Sequence, residues 1–327
     1  VAAIQALDTD KIDLVKDSEG NDTLKITPSL IMTATDSINL NGSVLDSAGS
    51  ADLSAKNINI GTVETGFAEN STWNYDKKKI NRYERVITED IGSVLHTDAN
   101  LTMNATDSIT AKAANVRAEG DLSLNANNRI NIIDGQSTTT LEEENYKKKK
   151  KWWGSKTSHD IETSVASQSL GSTFSSGNTT SLAAGQGILV QGSTVASENQ
   201  TDLYASNGNI DIVPGQNTLD TYNFKQNKRS NLEVGKMSME QGQTTHQVSH
   251  SGSLVGSVNG DTNIIAQRGT VNIVGSDVVT GRDLYVQGRD VNIVNSTDTM
   301  DANAYTKFKQ SGLRVSLGVT GVVGAVI

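Results

Sequence analysis

"SLIMTATDSINL" (Ser29 to Leu40) and "NLTMNATDSITA" (Asn100 to Ala111) lie 71 residues apart and nearly coincide. Such self-similarity marks a chain that stacks like units on one another, so the fold is decided by the repeat more than by local propensity. A second family of segments shares an apolar-polar-apolar triplet: "KNINIG", "NRINIIDG", "GNIDIVPG", "GTVNIVGS" and "RDVNIVNS". Alternation with period two places Ile58 and Ile60, Ile130 and Ile132, Ile210 and Ile212, Val271 and Ile273, and Val291 and Ile293 on one face of short strands, with Asn or Asp facing out.

"ADLSA", "GDLSL", "TDLYA" and "RDLYV" precede these strands and aim Leu53, Leu122, Leu203 and Leu284 inward by the same period. Equivalent apolar positions recur at short intervals: Ile38 to Ile58 is 20 residues, Ile109 to Ile130 is 21, and Ile188 to Ile210 is 22. Several short strands in each repeat of about twenty residues predict an all-β fold, a right-handed parallel β-helix. Composition agrees, with 35% hydrophobic and 4% aromatic residues and frequent Gly, because a narrow stacked interior takes Val, Ile, Leu and Ala and has little room for rings.

The fine repeat is interrupted at intervals. Ile38, Ile109, Ile188 and Val271 are 71, 79 and 83 residues apart, so each module of roughly 70–83 residues is two coils plus an insertion. The insertions fall at 62–90, 134–169, 214–252 and 295–311, and they hold 11 of the 14 aromatics and 17 of the 28 Lys and Arg residues. That concentration separates them from the core repeat. Each reads as a long antiparallel hairpin with a charged tip, near "DKKKIN", "YKKKKKWW" and "KQNKRSN", aligned on one side of a single repeat domain covering 1–327.

A net charge of −9 and a pI near 5.0 exclude a broad basic face for nucleic acid, and no nucleic-acid partner is expected. Any attraction to polyanions is local. Lys147, Lys148, Lys149, Lys150 and Lys151, followed by Trp152 and Trp153, form the candidate contact for a membrane or polyanion, since amphipathic aromatics favour an interface and lysines an anionic surface. The bland reading is a solvated tip whose tryptophans pack on the neighbouring hairpin. Glu142, Glu143 and Glu144 read as an acidic run that faces the lysines across or along the hairpin.

Catalytic and metal chemistry lack support in the sequence. His246 and His250 have no third ligand of matching period, and cysteine is absent. No nucleophile triad, phosphate loop, dinucleotide fingerprint or calcium nonapeptide occurs, so neither enzyme activity nor cofactor is expected. The C-terminal "SGLRVSLGVTGVVGAVI" is too short and glycine-rich for a bilayer helix and reads as an edge strand that more chain would cover; with no signal peptide at Val1, the chain reads as an excised fragment.

Taken together, "GSVLHTDANLTMNATDSI", "QGSTVASENQTDLYASNGNIDIV", "GSDVVTGRDLYVQGRDVNIV" and the "YKKKKKWWGSKT" tip resemble the haemagglutinin repeats of filamentous haemagglutinin and of contact-dependent growth inhibition effectors. Both are two-partner-secretion exoproteins of Gram-negative bacteria, and the hairpin-bearing modules look most like the second repeat block of the effectors. The resemblance implies a secreted, cell-surface β-helical stick, held in part in the periplasm before delivery. It also implies an outer-membrane transporter as partner, and a role in carrying a C-terminal toxin across the target-cell outer membrane. The alternative is the shaft of an adhesin that touches surface glycans. The family's secretion, receptor-binding and toxin regions are not visible here.

Overall fold

The computed structural model describes residues 3–6, 11–16, 22–27, 30–76, 78–231 and 235–312, and every regular element among them is a β-strand. Three parallel ladders run side by side. One joins Val44–Ser47, Val94–Thr97, Asn115–Ala118, Thr173–Ser176, Thr194–Ser197, Leu254–Ser257 and Asp277–Val279, with Ala3–Ala6 at its start. The other two carry the D-L segments and the apolar triplets, and the chain visits all three in turn before the next rung begins.

Registers bring the repeated residues into columns. Ile38, Ile58, Ile109, Ile130, Ile188, Ile210, Val271 and Val291 stack in order, and Leu40, Ile60, Ala111, Ile132, Val190, Ile212, Ile273 and Ile293 form the next column. Ile58, Ile60, Ile130, Ile132, Ile210, Ile212 and Val271 are fully buried and Ile273 nearly so. Opposite them run Leu45, Leu95, Val116, Phe174, Val195 and Val255. Burying each such side chain contributes about 1.5–3 kcal/mol. Outward positions carry amide ladders, with Asn59 donating to Asn39 at 2.8 Å, Asn125 to Asn104 at 3.1 Å and Asn292 to Asn272 at 2.9 Å.

One expectation about the core needs correction. Val291 and Ile293 keep their columns but are 43% and 71% exposed, because among the described residues nothing stacks on the far side of Asp290–Val294. Leu284 is likewise half exposed in the same last rung. The D-L motifs also do not share one register. Leu53 and Leu203 align in one column, whereas Leu122 pairs with Leu101 and Thr180, two residues earlier. A shift of two preserves the inward face, so Leu122 is still buried.

The insertion points follow from the corner after each triplet strand. Rungs alternate. In one kind the chain turns directly into the next rung through Gly42, Ala113, Gly192 or Gly275, all in the left-handed region with φ of 46–54°. In the other kind it runs outward at the same corner, in three long hairpins: Ala51–Asp76 with Lys79–Gly92, Gly135–Lys151 with Gly154–Leu170, and Gly215–Asn231 with Gly235–Ser251. A fourth limb, Thr299–Ser311, leaves after the last rung, and the stretch from residue 313 read as a C-terminal edge strand lies outside the described residues.

The serine that follows Gly171, Gly192 and Gly252 closes this corner. Ser172 Oγ accepts the Ala114 N–H at 3.0 Å and donates to the Ile133 carbonyl at 2.7 Å. Ser193 Oγ accepts the Ser172 N–H at 3.0 Å and donates to Gln191 at 2.6 Å, and Ser253 Oγ accepts from Ser193 at 3.1 Å and donates to Val213 at 2.7 Å. Each hydroxyl satisfies backbone groups of two rungs where the regular ladder is interrupted.

Candidate functional site

The hairpin arms do not stand separately. Lys79–Gly92 pairs with Gly135–Lys151, Gly154–Leu170 with Gly215–Asn231, and Gly235–Ser251 with Thr299–Ser311, so seven strands make one continuous antiparallel sheet. Geometry explains the fusion. An arm is two strands wide, about 9.6 Å, and arms leave every second rung, also about 9.6 Å, so neighbours meet at hydrogen-bonding distance. Seventeen residues per strand project the tips about 55 Å from the ladders.

At the base of the sheet, Asp90 fixes the first arm to the second. Its carboxylate accepts from Thr62 Oγ1 at 3.0 Å and from the Gln136 N–H at 2.9 Å, and lies 2.7 Å from Lys112 Nζ. Burial alone would push this carboxyl up; hydrogen bonds from Lys112, Gln136 and Thr62, with the Lys112 charge, outweigh it and hold Asp90 below its usual range.

Midway along one face, aromatic rings join successive arms. His159 stands 2.7 Å from Glu144 and makes edge contacts with Tyr146 and Phe224, at centroid distances of 5.7 and 6.0 Å. A Cβ on Gly242 would collide with the Tyr305 ring, so that glycine is the bed on which the fourth limb lays its tyrosine. The acidic run lies just below the lysines along its own strand. Across the hairpin, Glu142, Glu143 and Glu144 face Thr163, Glu162 and Ile161, and the lysines face Ser158, Thr157, Lys156, Ser155 and Gly154. The run therefore neighbours the lysines along the strand but not across it.

The tip region differs from the rest of this acidic chain. From Lys147 outward, the second and third arms and the fourth limb hold no described Asp or Glu; at the level of Lys147 the first arm carries Asp76, opposite Lys79. Register sorts the tip into two unlike faces. On one, consecutive strands present Lys148, Thr157, Lys228, Ser238 and Lys309 in one row and Lys150, Ser155, Ser230, Lys236 and Ser311 in the next, so every position is a lysine or a hydroxyl. Nine of these ten residues line a cavity of about 520 Å³. The other face sets Lys147, Lys149, Lys151, Lys156 and Arg229 among Met237, Met239, Phe308 and Trp153, with a cavity of about 370 Å³ beside Trp153.

Trp152 and Trp153 cap the second arm. They stack edge to face at 4.9 Å, Trp152 is 87% exposed, and Lys151 Nζ lies 5.6 Å from the Trp153 ring. The sequence stretch Lys147 to Trp153 is thus divided between both faces and the turn. Lys228 and Arg229, from the "KQNKRSN" tip read in the sequence, share its surface with Lys236 and Lys309; the pairing register is what sets the four beside it.

The histidines do not converge on a metal. His246 pairs with Asp220 and His250 with Asp298, and among the described residues no group of three or more His, Asp or Glu has an arrangement that could hold a metal ion. His96 lies 3.0 Å from Asp46 and near Asp98 and Glu119. The Asp46 hydrogen bond raises its pKa against burial, with Glu119 adding to the effect.

A repeat of stacked parallel strands bearing arms on alternate rungs is what recurs in this chain, and it has counterparts. The chain belongs to the hemagglutinin repeat family, whose model matches residues 75–152, 153–254 and 234–327. It is 30% identical over 228 residues to the tRNA nuclease CdiA of Escherichia coli strain STEC_O31 and 28% identical over 246 residues to the 16S rRNA endonuclease CdiA of Enterobacter cloacae. These alignments cover 67% and 72% of this chain but 7% of each relative. No solved structure matches it.

Proposed function

We propose that this segment is a non-catalytic, right-handed parallel β-helical rod within a large secreted effector, a single repeat domain that carries its arm sheet to the target-cell outer membrane and supports delivery of a C-terminal toxin. The observation that carries this reading is the tip: cations on both faces, no described carboxylate beyond Lys147 on the second and third arms or the fourth limb, and an exposed tryptophan pair at the end of an arm about 55 Å long. Two relatives that share the segment are named for cleaving different RNAs, which favours a role common to both over the nuclease step itself. In this account the chain is exported by an outer-membrane partner transporter to the surface of a Gram-negative cell, with part of the effector held in the periplasm before delivery.

The test is a co-culture of target cells with bacteria displaying the full-length exoprotein in which Lys147 to Trp153 is replaced by Gly and Ser. Normal surface display with loss of target inhibition is expected. Unchanged inhibition would overturn the membrane role and favour an adhesin-type shaft.

A further inference from the structure

We infer that the lysine and hydroxyl face of the arm tips is a binding site for phosphomonoester groups on a membrane surface, separate in chemistry from the amphipathic face around Trp153. The inference rests on the membrane-contact reading and assigns a ligand class to one face of it. Lys148, Lys228 and Lys309 stand on alternate strands, about 9.6 Å apart, and each gap holds a hydroxyl, Thr157 or Ser238. A lysine ammonium is a compact charge with three donors and meets a phosphate as a point charge, without the planar fork that an arginine would need to align.

A phosphomonoester near neutral pH carries between one and two negative charges and three acceptor oxygens. Seated between two of these lysines, it meets an ammonium on either side and a hydroxyl donor beneath. A phosphodiester, with one charge and two free oxygens, uses only part of that set. No described carboxylate ion-pairs with these lysines, and the two rows hold no apolar residue, Met237 of the neighbouring row being the one apolar residue that lines the cavity, so the face is suited to headgroup contact without deep insertion. The lysines come from the second arm, the third arm and the fourth limb, so the site exists only because the arms fuse.

The experiment measures binding of the 327-residue chain to phosphatidylcholine vesicles containing either phosphatidic acid or phosphatidylglycerol, matched for surface charge at fixed salt. Tighter binding to phosphatidic acid, by tenfold or more, is expected. The triple variant Lys148→Gln, Lys228→Gln, Lys309→Gln should lose that preference. The variant Lys147→Gln, Lys149→Gln, Lys156→Gln should bind both vesicles more weakly and keep it. Equal binding of the unsubstituted chain to both lipids, or equal loss of preference in both variants, overturns the inference. Displacement from vesicles by low concentrations of inorganic tripolyphosphate would reassign the site to soluble polyphosphate and overturn the membrane source. Failure of the delivery reading is separable, since it appears as unchanged target inhibition whatever the lipid preference.

Discussion

Ile132 and Ile293 occupy the same column, and their truncation should have very unequal consequences. Ile132 is fully buried between Ala111 and Val190. Replacing it by Ala removes three carbons, worth roughly 2.4 kcal/mol at about 0.8 kcal/mol each, and leaves a cavity that small Ala111 cannot close. The expected loss is therefore about 3–4 kcal/mol. Ile293 is 71% exposed, so the same deletion there should cost less than about 1 kcal/mol. Urea denaturation followed by far-ultraviolet circular dichroism reads both, with Lys149→Ala as a surface control expected within about 0.5 kcal/mol of the parent. An Ile132→Asp variant, which buries a charge, should fail to form the rung at all. Equal midpoint shifts for the two Ile→Ala variants, or a control as damaged as Ile132→Ala, would refute the inside-outside assignment.

Further outcomes follow from the corner and the arm base. Ser193→Ala should cost about 1–3 kcal/mol, because the buried Ser172 N–H loses its acceptor; thermal unfolding would show it. Ala113→Gly should stabilise the chain by about 0.5–1 kcal/mol, since the left-handed conformation strains a Cβ more than the added glycine freedom costs; a lowered denaturation midpoint would contradict this. Asp90 has a depressed native pKa, so its contribution is present above the unfolded value of about 3.9 and is lost as pH falls through the native one. Asp90→Asn should accordingly be less stable than the parent at neutral pH, with the gap closing in acid.

The inward ladder was readable because period two is a local property of "NRINIID" and its copies, and burial follows once rungs stack. The register of the D-L motif was not, since Leu122 and Leu124 both point inward and sequence alone cannot tell which one matches Leu53. The exposure of the final triplet has a related reason: Val291 lies in the same V-N-I-V run as Val271, and only the lack of a further rung among the described residues exposes its side chain. Aromatic and basic clustering exposed the arms. Their edge-to-edge fusion has no local signal, because Glu142 facing Glu84 across two arms is an unfavourable pair that no one would select from sequence. It follows instead from modules two rungs long carrying hairpins two strands wide.

The most direct test of the membrane-contact account is co-flotation of the purified chain with vesicles containing lipopolysaccharide, beside a chain with Gly and Ser in place of Lys147 to Trp153. Salt-sensitive flotation of the first and not the second is the predicted result. Absence of flotation for both, or flotation unchanged by the replacement, would contradict it.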